Sequence, residues 1–377
     1  MDLSFNEVQQ MLGKTARDFM EKECPGEVAL QLAASDTGFS ADIWRKMADL
    51  GWVGMVLPEK YGGMERSLAD LAIVYEEMGW AALPSPHLSS AVLCALTILA
   101  AGSEEQKQQL LPAISRGERI LALAFTEPDF GWGPESVHLT ATPGDNGFTL
   151  DGTKLFVPDI QIADQVLCVA RTGEAGSPEE GITLFLVDRE TPGISWRSLT
   201  GFQGEKLNEV TFNSVKVPRS SVVGELGKGW AALAPALEKA TALLCAYMVG
   251  GCRRVFELTA EYSRTRVQFG VNIGSFQRVQ DHIIEMLNGL DGARWATYYA
   301  LWKLDEGEPA AKVVSLAKAV ISDVYWRACQ SAHDVHAGAG VMKEYPLHLY
   351  TRQSCSLYHY LGDPVFHRKR LTRLLEL

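Results

Sequence analysis

The feature that most constrains the fold is the stretch from Val137 to Val217, whose apolar pattern differs from the rest of the chain. Apolar residues there alternate or come in short runs, such as Val166–Ala170 and Ile182–Val187, and turn clusters such as Pro143–Gly147 separate the runs. Short apolar runs bounded by Gly, Pro, Asn and Asp are typical of strands joined by turns. The stretch therefore predicts a small β-barrel or sandwich in the middle of the chain.

Helical periodicity dominates on both sides of that stretch. Before it, helices are predicted at Ser40–Leu50, Leu68–Met78 and the nearly all-apolar Leu88–Ala101; after it, long helical patterns cover 230–264, 275–305, 309–336 and 347–360. We therefore expect an α+β chain, mainly α. The predicted domains are an N-terminal helical domain (1–120), a middle β domain (121–223) and a C-terminal helical bundle (224–377).

Composition narrows the class of protein. A net charge of −11 argues against nucleic acid as a partner, because a phosphate backbone requires a basic face. The seven cysteines are scattered without a C-x-x-C pair, which favours buried thiols in a reducing compartment. No cationic start precedes an apolar block, and the apolar stretch Leu88–Ala101 is too short to span a bilayer. We expect a soluble cytoplasmic protein with no secretory signal and no membrane span.

The stretch from Tyr262 to His282 carries the strongest functional signal. Gly270 and Gly274 break a long helical pattern, and Arg264, Arg266, Gln268, Phe269, Gln277 and Gln280 lie around the break. Guanidinium, amide and aromatic groups at one turn are suited to holding a phosphate and an adjoining ring system. A helix–helix corner with solvated arginines is the alternative that this stretch alone leaves open.

Further motifs decide between these alternatives, because six of them occur in one order along the chain. They are Pro58-Glu59-x-Tyr61-Gly62-Gly63, Phe125-Thr126-Glu127-Pro128, Gly152-Thr153-Lys154-Leu155-Phe156-Val157, Gly224-Glu225-x-Gly227-x-Gly229-Trp230, Arg266-x-Gln268-Phe269-Gly270 with Phe276-Gln277-x-Val279-Gln280, and His336-Ala337-Gly338-Ala339-Gly340 with Glu344-Tyr345-Pro346. Together they resemble the signatures of the acyl-CoA dehydrogenase family and cover nearly the whole chain.

The resemblance implies a fold and a reaction. The expected fold has an N-terminal helical domain, a middle β-barrel and a C-terminal four-helix bundle, usually assembled as a tetramer. The expected cofactor is FAD, and the expected reaction is α,β-dehydrogenation of an acyl-CoA thioester. A carboxylate base removes the α-proton, the β-hydrogen leaves as hydride to the flavin, and an electron-transferring flavoprotein then receives the electrons.

The resemblance also implies which residues meet the cofactor. On the flavin side they are Phe125, Thr126, Gly131, Phe156, Val157 and Pro158. Around the pyrophosphate and adenosine, partly across a subunit interface, they are Arg266, Gln268, Phe269, Gln277, Asp334, Val335 and Gly338.

Several of these positions depart from the family pattern. Pro158 replaces a hydroxyl residue and has no hydrogen to donate to the flavin. Trp132 lies in the part of the first signature from which the usual serine is absent, so the acyl pocket is reshaped or does not take an ordinary acyl-CoA. Asp334 and Ala337 replace a glutamine and a glycine, and a carboxylate near a pyrophosphate repels it.

The catalytic base is missing from both positions where the resemblance places a glutamate. Those positions hold Leu361 and Ala240. Glu238 is the remaining candidate, although two residues along a helix correspond to a rotation of roughly 200°. Weaker candidates are Tyr247, Asp334 and Asp363.

Two other kinds of site receive no support. His333 and His336 lie three residues apart but lack a third ligand, so we expect a structural histidine pair and no metal. No G-x-G-x-x-G opens a helix after a strand, so a Rossmann dinucleotide site is not predicted.

Three functional hypotheses remain. The first is an FAD-dependent acyl-CoA dehydrogenase. The second is a non-catalytic subunit that completes FAD sites in a heteromeric enzyme for bulky or cyclic acyl-CoA, so the tetramer is homomeric or heteromeric. The third is a helical scaffold that has lost flavin.

Overall fold

The computed structural model describes residues 5–173, 176–199 and 206–376, and within them the chain is mainly helical with one central sheet, as expected. The α-helices are α1 (Glu7–Glu23), α2 (Gly26–Ala34), α3 (Ala41–Asp49), α4 (Leu68–Trp80), α5 (Ala95–Ala101), α6 (Glu104–Ser115), α7 (Gly229–Thr265), α8 (Gln277–Asp305), α9 (Ala311–His336), α10 (Leu347–His359) and α11 (Pro364–Leu374). The strands are β1 (Leu121–Ala124), β2 (Thr140–Gly144), β3 (Gly147–Pro158), β4 (Gln165–Arg171), β5 (Ile182–Asp188), β6 (Ile194–Ser198), β7 (Leu207–Pro218), β8 (Val222–Val223), β9 (Val267–Gln268) and β10 (Val271–Asn272).

The described residues form two compact units. One comprises the described parts of Met1–Ala34, Ser67–Pro84 and Thr241–Leu377, and it contains α8 to α11. The other comprises the described parts of Ser35–Arg66 and Ser85–Ala240, and it contains the central sheet.

The central sheet has eight strands in the order β6-β7-β3-β2-β4-β5-β8, with β1 paired in parallel to β4. The apolar runs in β4 and β5 are buried, which explains why they read as continuous rather than alternating segments. The long strand β3 pairs with β7, and their register shifts twice, between Leu150 and Gly152 and again between Lys154 and Val157. The second shift interrupts the ladder in the motif that the resemblance places beside the flavin.

The apolar stretch predicted as one helix at Leu88–Ala101 has a different form. Residues His87–Cys94 form a π-helix, and α5 then continues to Ala101. Most side chains of the stretch are buried, but periodicity alone does not distinguish a π-helix from an α-helix. π-helical turns are rare and are often associated with functional sites.

The long helix α7 has the composition of a core helix. Of the described helices, it alone is long and apolar enough, by length and composition, to cross a membrane. However, 72% of its most apolar window is buried inside the fold. All seven cysteines carry free thiols and six of them are buried.

Helices α4 and α7 approach closely in the first unit because glycines face the opposing backbone. A Cβ atom on Gly79 would lie 1.8 Å from the Tyr247 carbonyl oxygen, and one on Gly250 would lie 1.8 Å from the Glu76 carbonyl oxygen. The close approach allows Arg253 of α7 to pair with Glu77, 2.8 Å away, and with Glu76, 3.5 Å away, both on α4.

Gly250→Ala is expected to destabilise the protein by about 2 kcal/mol, because backbone atoms on α4 cannot move aside as a flexible side chain would. The control is Gly292→Ala on α8, where a new Cβ meets nothing within 4 Å. Alanine favours helix over glycine by roughly 0.5–1 kcal/mol, so the control should be neutral or stabilising. Denaturant unfolding measures both, and equal effects would contradict the assigned contact.

Candidate functional site

Thr126 lies two residues after β1 and is tied to β3 by its backbone. Its carbonyl oxygen accepts a hydrogen bond from the Leu155 amide at 2.8 Å, next to the second register shift. Phe125 and Thr126 are each only 5% exposed. Across the described ranges, the Thr126 hydroxyl makes no hydrogen bond, so its donor and acceptor are free for a ligand.

Phe156 lies within the register shift of β3 and has a left-handed backbone (φ 54°). A bulge re-aims the side chain it contains, and non-glycine residues with positive φ are uncommon. Its ring is half-buried and lies 5.7 Å from the ring of Phe130, which is exposed and also left-handed. Val157 is buried and Pro158 is half-buried. The end of β3 thus presents an aromatic ring on a distorted strand.

A buried ion pair stabilises the segment around Thr126 and the adjoining strand β3. The Lys154 ammonium, which is fully buried, donates to Glu127 Oε1 at 2.6 Å and to the Phe125 carbonyl oxygen at 3.0 Å. The Glu127 carboxylate also accepts from the amides of His138 and Leu139. These bonds join the segment around Thr126 to β3.

The loop after Thr126 is crowded with aromatic rings. Phe125 lies 6.3 Å from Trp132 and 6.0 Å from Trp230, measured between ring centroids. A Cβ on Gly131 would lie 1.7 Å from the Ser136 hydroxyl oxygen, so this tight turn requires glycine. An indole therefore occupies the loop where the resemblance implies a small hydroxyl side chain.

The turn from Tyr262 to His282, predicted as a phosphate-binding turn between two helices, contains a short hairpin. β9 and β10 pair there, and the Ile273 amide donates to the Arg266 carbonyl oxygen at 2.9 Å. Phe269 is 92% exposed and has φ 52°. Among the residues that the structure describes, the side chains of Arg266 and Gln268 have no hydrogen bond or ion pair. The hairpin fixes their backbone and leaves their polar groups available.

The second segment assigned to the cofactor lies beside this hairpin in the same unit. The Tyr262 and His336 rings stack with centroids 4.3 Å apart, which brings the ends of α7 and α9 together. Asp334 and Gly338 are exposed and Val335 is buried, while Gln277 is exposed at the start of α8. Ala337, where the resemblance implies glycine, has φ 48° and is strained for an alanine.

The two histidines have protein partners. His336 Nε2 lies 2.9 Å from the Tyr345 hydroxyl and His333 Nε2 lies 2.8 Å from the Thr351 hydroxyl. Burial lowers the pKa of both imidazoles. No group of three His, Cys, Asp or Glu suited to a metal occurs in the described residues.

Both positions expected to hold the base are buried and apolar. Ala240 has no exposed surface and Leu361 is 5% exposed. Glu238 is half-buried on α7. The structure therefore offers no replacement carboxylate at either expected position.

Two of the weaker candidates are unsuited to proton abstraction. The Tyr247 hydroxyl donates to the Leu83 carbonyl oxygen and accepts from Gln353, and burial raises the pKa of Tyr247 far above neutrality. The Asp363 carboxylate caps α11 by accepting from the Phe366 amide at 2.7 Å. Asp334 is exposed.

The chemistry of these groups fits FAD. The hairpin supplies guanidinium and amide donors without internal partners, as a pyrophosphate requires. The end of β3 supplies an aromatic ring, and the segment hydrogen-bonded to β3 supplies the unbonded Thr126 hydroxyl, as a flat ring with polar edges requires.

Comparison with known proteins agrees with this reading. The chain matches the family descriptions "Acyl-CoA dehydrogenase, N-terminal domain" over residues 6–118, "middle domain" over 122–215 and "C-terminal domain" over 227–375. The chain belongs to the acyl-CoA dehydrogenase family. Members of this family are FAD-dependent oxidoreductases, so the chain is an enzyme of that class with FAD as its cofactor.

Individual relatives resemble the chain over nearly its whole length. It is 30% identical to a 3-(aryl)acrylate reductase of Clostridium sporogenes, covering 91% of this chain and 92% of the relative. It is also 30% identical to the CarC subunit of the caffeyl-CoA reductase–Etf complex of Acetobacterium woodii, covering 90% and 91%. Among solved structures, the FAD complex of PigA has a TM-score of 0.93 at 27% identity and full coverage of both chains.

Two features of the site were not predicted from the sequence. The motifs contain Glu127 and Lys154, but only the fold shows that they form one buried pair. Asp159 follows the flavin-side motif, and its carboxylate accepts a hydrogen bond from Ser89, which is 70 residues away. For the Glu127–Lys154 pair, the available signal in the sequence was the charged Lys154 inside an apolar strand motif.

Proposed function

We propose that this acyl-CoA dehydrogenase family member catalyses α,β-dehydrogenation of an acyl-CoA thioester and passes the electrons to an electron-transferring flavoprotein. The observation that carries the proposal is the hairpin whose Arg266 and Gln268 side chains have no internal partner in the described part of the chain. Such donors fit the pyrophosphate of the family cofactor. When bound, FAD supplies the oxidant that accepts the hydride.

Individual residues have defined roles in this proposal. Thr126 and Phe156 contact the flavin ring, together with Phe125, Gly131, Val157 and Pro158. Arg266 and Gln268 hold the pyrophosphate, together with Phe269, Gln277, Asp334, Val335 and Gly338. Residues 1–120, 121–223 and 224–377 form the three functional domains.

The relatives support the substrate class and the electron acceptor. Caffeyl-CoA is a CoA thioester, and its reductase forms a complex with Etf in Acetobacterium woodii. Buried free thiols fit a reducing compartment, which supports a cytoplasmic location.

A subunit role is the second candidate, and the burial of Ala240 and Leu361 favours it. In this case the chain completes FAD sites while a related partner contributes the carboxylate base. The family reaction needs such a base, since removal of an α-proton requires an acceptor positioned at the substrate.

The exposed apolar side chains around α8 support an oligomer in either case. Phe269, Ile284, Leu287 and Trp295 are all exposed in the single chain. Ile284, Leu287 and Trp295 lie at helical spacing on one face of α8, and contiguous exposed apolar surface marks protein interfaces. We propose a tetramer, either of identical chains or with a related subunit.

The absorbance spectrum of the purified protein separates the candidates. An active dehydrogenase is yellow and is bleached by an acyl-CoA. A completing subunit is yellow only after co-expression with its partner and is not bleached alone. A protein that is colourless in every preparation contradicts both.

Glu238→Gln tests the remaining candidate for the base. If Glu238 accepts the α-proton, the variant should retain FAD but lose flavin reduction by acyl-CoA at least roughly 100-fold, the scale of general-base catalysis. The control is Glu285→Gln, an exposed carboxylate on α8. Unchanged reduction rates in the Glu238 variant would exclude this residue.

A further inference from the structure

The segment that ends β3 contains a carboxyl group that the proposed reaction does not use. Asp159 directly follows Pro158 and has a left-handed backbone, with φ 62°. It is the second such residue in four positions, after Phe156. Strained backbone of this kind is retained where the surrounding structure holds it and is concentrated at functional sites.

The Asp159 carboxylate is held by the π-helix. Ser89 donates its hydroxyl hydrogen to Asp159 Oδ2, and the neighbouring Ser90 hydroxyl accepts from the Leu121 amide of β1 at 3.0 Å. β1 leads to Thr126, whose carbonyl oxygen binds the Leu155 amide of β3. These contacts connect Asp159 to the π-helix, the π-helix to β1, and the segment after β1 back to β3. They surround the segment proposed to contact the flavin.

No cation in the described residues neutralises this carboxylate. Arg189 donates to the carbonyl oxygens of Ile160 and Gln161, at 3.4 and 2.9 Å, and pairs with Glu190. On the π-helix, burial lowers the pKa of His87 to about 4, which leaves it neutral, and burial raises the pKa of the Cys94 thiol, which stays protonated. Among the residues that the structure describes, the Ser89 hydroxyl is the hydrogen-bond donor to the Asp159 carboxylate.

This environment raises the pKa of the Asp159 carboxyl group. Burial raises the pKa of Asp159 to about 6, and the Ser89 hydrogen bond limits the rise. The pKa of Asp159 is therefore higher in the folded than in the unfolded protein, so ionisation of Asp159 opposes folding. The free energy of unfolding decreases as the pH rises from about 4 through 6. A group that costs stability at neutral pH and occupies a strained segment is a candidate for function.

We propose that Asp159, held by Ser89, is a positioning residue that couples proton uptake to reduction of the flavin through the Phe156–Pro158 segment. The inference rests on the proposed flavin site. An external mediator would supply two electrons to a bound flavin, and the added negative charge would raise the proton affinity of the Asp159 carboxylate. Asp159 then takes one extra proton from water, so that its pKa is higher in the reduced than in the oxidised protein.

The pH dependence of the flavin midpoint potential tests the coupling in the FAD-loaded protein. The potential should fall more steeply with rising pH in a window that begins near pH 6, where the extra proton is taken up. Asp159→Asn should remove the steep window, and Ser89→Ala should move it to higher pH. The control is Asp151→Asn at the other end of β3, where the carboxylate binds the Ser214 amide at 2.6 Å; this variant should keep the window.

A measurement without flavin checks the titration itself. The free energy of unfolding of the Asp159→Asn variant should match that of the original protein below pH 4 and exceed it increasingly through pH 6. A constant difference across this range would overturn the proposal, because Asp159 would then not titrate there.

The outcomes distinguish the role of Asp159 from the proposed function of the protein. FAD binding without a steep window, or with a window that persists in Asp159→Asn, overturns the role of Asp159 and leaves the proposed function intact. Failure to bind FAD in any preparation overturns the proposed function and this inference with it. Loss of the window only in Asp159→Asn, with retention in Asp151→Asn, supports the coupling.

Discussion

Lys154→Met is expected to destabilise the protein by about 3–5 kcal/mol. The substitution leaves the buried Glu127 carboxylate without its cation, and removal of one partner of a buried ion pair exposes the full cost of the remaining charge. The Phe125 carbonyl oxygen loses its donor as well. Thermal or denaturant unfolding of the purified protein measures the effect.

Two control variants make the Lys154 prediction specific. Lys216→Met removes an exposed lysine from the adjoining strand β7 and should change stability by less than about 0.5 kcal/mol. The double variant Glu127→Gln with Lys154→Met removes both charges and keeps an acceptor for the His138 and Leu139 amides. It should recover much of the loss, and strict additivity of the two changes would contradict the pairing.

Arg266→Ala is expected to weaken FAD binding roughly 10- to 150-fold. A hydrogen bond to a charged group contributes about 1.5–3 kcal/mol, and a guanidinium pairs with a phosphate through two parallel bonds. If the pyrophosphate belongs to a neighbouring subunit, as the family resemblance implies, the oligomer should also weaken. Flavin fluorescence measures the affinity, and light scattering measures the assembly.

Arg266→Lys and Arg327→Ala serve as comparisons. Lysine keeps the charge but loses the planar fork, so its affinity should lie between those of the original protein and the alanine variant. Arg327 is exposed in the middle of α9, and its removal should leave FAD binding unchanged. Full flavin retention and an unchanged oligomer in Arg266→Ala would show that the hairpin does not hold the cofactor.

Much of the architecture could be predicted because helical and strand periods are local. The patterns at 230–264 and 309–336 predicted α7 and α9 to within a few residues, and the runs in β4 and β5 were recognised as strands. The π-helix His87–Cys94 was missed, since an apolar run without polar interruptions carries no period that reports on hydrogen-bond spacing. The hairpin of β9 and β10 was missed because each strand has only two residues.

The candidate site, like the fold, could be predicted from the sequence only in part. The order and spacing of the motifs were sufficient to identify the family, and they located Thr126, Phe156 and Arg266 as candidate cofactor contacts. The sequence also established that the positions expected to hold a catalytic glutamate contain alanine and leucine. These properties depend only on the identity and order of the residues, so they can be determined without knowledge of the fold.

The electrostatic state of the site is decided only by the tertiary structure. Glu127 meets Lys154 across 27 residues, and Asp159 meets Ser89 across 70. The free energy of a charge depends on desolvation and on partners within a few ångströms, and neither quantity follows from local sequence. The Glu127 carboxylate is therefore paired with a lysine while the Asp159 carboxylate is paired with a hydroxyl group, and the fold makes that difference.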